Sequence, residues 1–278
     1  MIKGISFWSM PAGCSIEQAA RLAKEHGFAA LELAIGEQGP LTVEMDEAAC
    51  RRIGEVVRGA GLVCQTVASG MSWGCSPTDP DTGVRKRAVA LHAAALERAS
   101  WLGAAALLVV PGAVKIPWNA GYGPVGYVQA VEWAREAVGA LAKVGERVGV
   151  DVCVENVWNG MFYSPVEFRD FVDSFGSARV GVYFDVGNVL GYHQNPPDWI
   201  GVLGQRIRRV HIKDFKTAIG GLAGFCDLLA GDVPWAKTMA ALRGIGYEGT
   251  VVAEMMPPDA GLLARTSAAM GVIMAMGK

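Results

Sequence analysis

"VGERVGVDVCVENVW", residues 144–158, carries the pattern on which the reading of the fold turns. The helical pattern "VGYVQAVEWAREAVGALAKVGERVG" (125–149) gives way to "VDVCVE" (150–155), a short, nearly continuous apolar run that stops at Glu155. A run of that kind suits a parallel strand covered on both faces, whereas a strand with one wet face would alternate apolar and polar residues. Another helical pattern, "SPVEFRDFVDSFG", then precedes the next apolar run, "VGVYF" at 180–184.

The same strand-then-helix unit recurs along the chain. Strands are predicted at 3–8, 29–35, 61–67, 104–110, 150–155, 180–184, 207–212 and 249–254. Helical patterns lie between them, beginning with "SIEQAARLAKEHG", where Ser15 opens a capping box with the acid of S-I-E-Q and Gly27 stops the helix. "TVEMDEAACRRIGEVVRGAG" (42–61) follows the same plan and stops at Gly61. Eight units in 278 residues are roughly 35 residues each, which predicts a single (β/α)8 TIM barrel of class α/β occupying 1–278 as one domain. A doubly wound sheet would need a glycine-rich phosphate turn after the first strand, and "WSMPAGC" is not one.

Composition narrows the function. The chain is 51% hydrophobic with a net charge of −2, so it lacks the basic excess with which nucleic-acid binders neutralise phosphates. The six cysteines have neither CxxC pairs nor metal-ligand spacing and read as reduced thiols of a cytoplasmic protein. "MIKGISFWSM" lacks the features of a signal peptide, and the alanine-rich tail is too short and too polar to span a bilayer. No nucleic-acid or membrane partner is expected; a homo-oligomer, dimer or tetramer, is.

Active sites of such barrels form at the C-terminal ends of the strands. Strand five ends in Glu155, strand six in Asp185, strand seven in His211 and strand eight in Glu254. Each alone reads as a salt-bridged carboxylate or a satisfied core histidine. Together at one mouth, three carboxylates and an imidazole would repel or go unsatisfied without a cation. This mostly oxygen set suits Mn²⁺ foremost, with Mg²⁺, Co²⁺ or Zn²⁺ as alternatives.

The motifs "ENVWN" (155–159), "YFDVGNVLGY" (183–192), "VHIKDF" (210–215), "GDVPW" (231–235) and "VVAEM" (251–255), with "LELA" around Glu32, resemble the xylose isomerase-like TIM-barrel superfamily in its sugar phosphate isomerase/epimerase branch. That resemblance implies a divalent cation held by Glu155, Asp185, His211 and Glu254, with Glu155 and Glu254 as the acid/base pair on opposite faces of a ketose. The chemistry agrees: a cation stabilises the charge of an enediolate, while one carboxylate removes the C3 proton and the other returns it. Asn188 stands where epimerases of free ketoses commonly carry a histidine, and a second glutamate beyond Glu155 is missing. "DVGN" is closer to pentulose-5-phosphate 3-epimerases, which moves the expectation toward phosphorylated ketoses.

Asn188, Lys213, Trp8, Trp158 and Glu32 are candidate substrate contacts; Glu32 has ligand orientation or an ion pair as alternative roles. Trp73 and Trp118 are read as packing, and "IGGLAGF" (219–225) as a surface loop or a phosphate cradle. A hydroxypyruvate-type isomerase or an inosose-type dehydratase uses the same enediolate chemistry. An endonuclease IV-like repair enzyme would need a histidine-rich three-metal cluster that four histidines do not readily supply. A catalytically silent sugar-binding barrel would not need both glutamates.

Overall fold

Eight short strands pair in parallel and close on themselves in this computed structural model, which describes residues 1–277. They are β1 (Ile2–Ser6), β2 (Ala30–Ile35), β3 (Thr66–Ser69), β4 (Ala106–Val109), β5 (Asp151–Glu155), β6 (Val180–Asp185), β7 (Ile207–Ile212) and β8 (Thr250–Ala253). β1 pairs with both β2 and β8, and the register Ile2↔Thr250 to Ile5↔Ala253 closes the barrel. Around it run α1 (Ile16–Glu25), α2 (Glu47–Gly59), α3 (Thr82–Leu102), α4 (Tyr127–Val148), α5 (Pro165–Asp173), α6 (Val186–Gly191), α7 (Pro196–Leu203), α8 (Trp235–Gly244) and α9 (Leu262–Ala275). The barrel expected from the sequence is therefore the one observed. Among the described residues, no helix is long and apolar enough to cross a membrane.

Three local expectations shift. The third strand begins at Thr66 rather than Gly61, because Leu62 and Cys64 enter as buried core residues while continuous pairing with β4 starts only at Thr66↔Ala106. Helix α2 begins after Asp46, whose side chain accepts from Ala49 N–H, rather than at Thr42; the chain at Gly36 and Thr42 is instead held in a parallel bridge. The capping box of α1 closes through Gln18, not Glu17.

Two apolar layers result. The larger lies between strands and helices. The smaller, Ala68, Ala106, Leu108, Val110, Cys153 and Tyr183, takes alternate residues from the β3–β6 side of the barrel and packs against Trp8, Trp73 and Val157. Period-two alternation therefore sends Tyr183 and Asp185 of β6 to the same face, so the inner layer leads directly into the residues at the strand ends.

Helix α6 sits tightly over the barrel mouth, and two glycines allow it. A Cβ at Gly187 would lie 2.7 Å from Lys213 Cβ, and one at Gly191 would lie 2.0 Å from a Trp158 ring carbon. Overpacking at such a contact costs about 1–3 kcal/mol. Gly187→Ala is expected to lose that much stability, measured as a lowered urea midpoint at unchanged slope.

Candidate active site

The four strand-end residues converge. Asp185 and His211 are register partners on adjacent strands, His211 is the partner of Val252 on β8, and Glu254 follows that strand directly. One potential ligand atom from each of Glu155, Asp185, His211 and Glu254 lies within 4.8 Å of the other three, and all four residues are buried.

Each is held by a defined set of bonds. Asp185 is the N-cap of α6: its Oδ1 accepts the Asn188 backbone N–H at 2.8 Å, while Oδ2 is buried without a hydrogen-bond partner. Asn156 straps β5 to β6, accepting from Asp185 N–H through Oδ1 and donating through Nδ2 to Asp185 O, both at 2.8 Å. Asn188 Nδ2 donates to Asn156 O at 2.9 Å, closing the strap. His211 Nε2 lies 2.7 Å from Glu32 Oε1, and Tyr183 donates its hydroxyl to the other Glu32 oxygen. In the neutral ring, donation of Nε2–H to Glu32 leaves the lone pair on Nδ1, which makes no hydrogen bond and lies 3.0 Å from Glu254 and 3.8 Å from Glu155.

Crowding of charge shows in the titration of the group. Burial pushes Glu155 up to about 7. Burial also works to raise Glu254, but the Lys213 ammonium and His211 outweigh it and hold that carboxyl at about 2. Asp185 is raised, first by burial. For His211 burial favours the neutral form, yet Glu32 and the two glutamates carry it well above the usual imidazole range. Lys213 Nζ lies 2.9 Å from Glu254 Oε2 and 3.2 Å from Asp185 Oδ2; burial lowers its affinity for a proton, and the surrounding carboxylates more than reverse that.

These residues fit a divalent cation. Two ligand atoms, Asp185 Oδ2 and His211 Nδ1, are buried in the cluster without a hydrogen bond, their neighbours being Lys213 Nζ at 3.2 Å and Glu254 Oε2 at 3.0 Å, and buried polar atoms are normally satisfied. Three carboxylates and one oriented imidazole are the donor set of a hard to borderline ion.

Above the cluster opens a cavity of about 440 Å³. Glu155, Glu254, Asn188 and Lys213 line it, as do Trp8 and Trp158. Trp73 and Trp118 line it too, contrary to their reading as packing, because the loops after β3 and β4 fold over the mouth rather than outward. Glu32 does not reach it: the residue is fully buried against His211 and Tyr183, so its substrate-contact role gives way to orienting the histidine. The glycine-rich segment is largely exposed, as a surface loop would be, but its end is anchored at the mouth. Phe215 pairs with Phe225, and Leu222 and Phe225 line the cavity. His26 caps α1, and His92 is buried against Ser69, Ser72 and Ala88 O.

Sequence reasoning missed Asn156 and Tyr183, and from sequence Asp214 reads equally as an orienting carboxylate or a salt-bridged loop residue. Asp214 is fully buried and accepts from the backbone N–H groups of Phe215, Leu229 and Val233 and from Trp235 Nε1, at 2.9–3.2 Å. It thereby ties "HIKDF" to "GDVPW". Tyr183 could have been found from its spacing of two from Asp185.

The model of the family described as "Xylose isomerase-like TIM barrel" matches residues 20–271. D-psicose 3-epimerase of Ruminiclostridium cellulolyticum strain H10 is 28% identical over 261 residues, covering 89% of this chain and 79% of that protein. D-psicose 3-epimerase of Agrobacterium fabrum strain C58 is 24% identical over 256 residues, covering 89% and 80%. Among solved structures, D-psicose 3-epimerase from Clostridium cellulolyticum H10, crystallised with D-tagatose, superposes with a TM-score of 0.82 at 20% identity over 100% of both chains. L-ribulose 3-epimerase gives 0.79 at 16% identity over 98% of this chain and 94% of its own. At those identities the superpositions speak to the fold.

Two expectations follow for the supporting residues. Glu32→Gln loosens the hold on the His211 ring and is expected to lower the affinity of the four-residue cluster for a divalent cation by about 10–100-fold in calorimetric titration. Asp214→Ala strands several donors and is expected to cost about 3 kcal/mol or more in chemical unfolding.

Proposed function

The chain belongs to the xylose isomerase-like TIM-barrel family, and from that premise we propose that it is a divalent-metal-dependent ketose 3-epimerase. The observation that carries this reading is the buried Glu155–Asp185–His211–Glu254 cluster at the floor of a cavity into which both glutamates face. The relatives named as D-psicose 3-epimerases, aligned over most of the chain, support the same reaction.

Glu155, Asp185, His211 and Glu254 would hold the cation, with Mn²⁺ preferred for this donor set. Bound there, it would supply Lewis-acid stabilisation of the negative charge that develops beside a ketone when its neighbouring carbon loses a proton. The protein's own groups do the rest. Glu155 and Glu254 each present a carboxyl to the cavity; one removes the proton from C3 and the other delivers a proton to the opposite face, inverting that carbon. Lys213 lines the same wall and, paired with Asp185 and Glu254, balances the charge of those carboxylates beside the substrate. Asp214, by fixing the segment that follows Lys213, keeps that ammonium in place. The aromatic walls keep water from competing for the exposed carbon.

The cavity also bears on phosphate. Among the described residues of its lining, Lys213 is the only cation, and it already sits between Asp185 and Glu254. A phosphate dianion on the sugar would find no unpaired cationic side chain in the cavity wall. We therefore assign an unphosphorylated ketose, in place of the phosphorylated one that "DVGN" suggested.

With Mn²⁺ or Co²⁺ the protein should catalyse exchange of a ketose C3 proton with solvent deuterium, followed by NMR. Glu155→Gln and Glu254→Gln should each lower the rate by about 10²–10⁴-fold, and removal of metal by a chelator should abolish it until metal is restored. Loss of water from a cyclic polyol ketone without C3 exchange in any ketose would instead establish the dehydratase reading.

A further inference from the structure

The stretch that leads into the histidine, "RIRRV" (206–210), lies away from the mouth, and its arginines gather at the opposite end of the barrel. β6 and β7 do not pair evenly there. Val182 faces Ile207 and Tyr183 faces Arg209, so Arg208 is the extra residue of a bulge. A bulge re-aims side chains, and this one turns two consecutive arginines toward the barrel axis. Arg209 shares the inner face with Tyr183, its register partner, and with His211 two residues on. Arg208 lies against Gly181, which precedes Tyr183 by two on the same face. A Cβ at Gly181 would come within 2.4 Å of Arg208 Cγ and 3.1 Å of Arg206 O, so glycine there is what admits the Arg208 stem. Both guanidinium groups act on the fully buried Cys153 thiol of the inner layer: burial pushes it up to about 12, and Arg209 and Arg208 pull the other way, against Asp151.

Their neighbours at this end are paired, and they are not. Arg179 meets Asp151 at 3.1 Å, and Arg206 forks onto both oxygens of Asp173. Among the described residues, Arg208 and Arg209 make no ion pair; their bonds go to main-chain oxygens, Ala178 O for Arg208 and Arg208 O for Arg209. The Nε of each is buried and has no hydrogen-bond partner. A guanidinium binds oxyanions through its Nε–Nη edge as a bidentate fork, and on both arginines one donor of that edge is uncommitted. Two half-buried like charges on adjacent residues are costly unless an anion joins them. There is room for one. A groove of about 360 Å³, lined by Arg208, Gln205, Ser177 and the paired Arg206 and Asp173, opens between the end of α5 and the start of β7.

We propose that Arg208 and Arg209 form a binding site for a phosphate group, a doubly charged tetrahedral oxyanion, at the end of the barrel opposite the four-residue cluster. Its charge balances both arginines, and its several oxygens match two forked donors; a carboxylate balances one charge, and a halide meets a fork only as a point. The site shares no residue with the mouth and stands apart from the epimerase reading.

The test is the thermal midpoint of the metal-loaded protein, freed of excess metal and titrated with inorganic phosphate at slightly alkaline pH and fixed ionic strength, with chloride and acetate as matched controls. Phosphate should raise the midpoint along a saturable curve, by several degrees at about a hundredfold its Kd, and the controls should not. Calorimetric titration gives that Kd directly. Arg208→Gln and Arg209→Gln should each weaken it by about tenfold or more, and Lys86→Gln, at an exposed position on α3, should leave it unchanged. Arg208→Lys keeps the charge without the fork and guards against a variant that fails to fold; it too should bind phosphate several-fold more weakly. Glycerol phosphate as a second ligand separates the sources: tighter binding than inorganic phosphate assigns the site to a phosphate ester, weaker binding to the free ion. Chloride or acetate matching phosphate overturns the proposal. So does phosphate binding that survives in all three arginine variants, as it would if the anion sat on a cation at the mouth.

Discussion

Four carboxylates with little access to water are packed around one imidazole and one ammonium, and the rest of the mouth is arranged around keeping that group together. Glu32, Glu155, Asp185 and Glu254 are all within reach of His211 or Lys213, and none is more than 6% exposed. In a poorly solvated place like charges repel strongly and ionisation itself is costly. The opposite movements of Glu155 and Glu254 express this: the carboxyl closest to Lys213 stays ionised, while its neighbour is driven toward neutrality by burial. A divalent cation between the three inner carboxylates would relieve the same repulsion, and Asp185 Oδ2 and His211 Nδ1, which make no hydrogen bond, lie in its reach.

Such a group stays assembled only on a stiff frame. The parallel register brings Asp185 beside His211 without any side-chain contribution. Asn156 then uses both ends of its amide on the backbone of Asp185, so β5 and β6 are fastened at the very point where their side chains must agree. The two oxygens of Asp185 have separate roles, since Oδ1 starts α6 and Oδ2 is left for the cluster. A carboxylate anchored through one oxygen loses little further freedom when the other is used, which favours tight binding.

The barrel and the four inner residues were legible in the sequence because both depend on local pattern. Apolar runs mark the strands, and the polar residue at which each run stops marks the mouth. The supporting residues were less legible because their partners are distant in the chain. Tyr183 and His211 are separated from Glu32 by 151 and 179 residues. Nothing near "LELA" tells whether Glu32 points at substrate or behind a histidine; only closure of the barrel decides. Trp73 and Trp118 were undervalued for a related reason. Their role depends on which way the long loops after β3 and β4 fold, and no periodicity governs that.

This difference in legibility separates two parts of the site. The floor is built from strand ends whose positions are dictated by a closed hydrogen-bonded ladder, so the same carboxylates and histidine can be kept while everything above them changes. The walls come from loops, which a barrel tolerates in many forms. In this chain they bring mostly aromatic and aliphatic side chains, and Asn188 presents an amide already bonded to Asn156 where a titratable imidazole would have added a polar contact. The floor therefore bears on what can be done to a carbon next to a ketone. The walls bear on which molecule brings that carbon, and their physical character is the opposite of the floor's: apolar, rigid and uncharged.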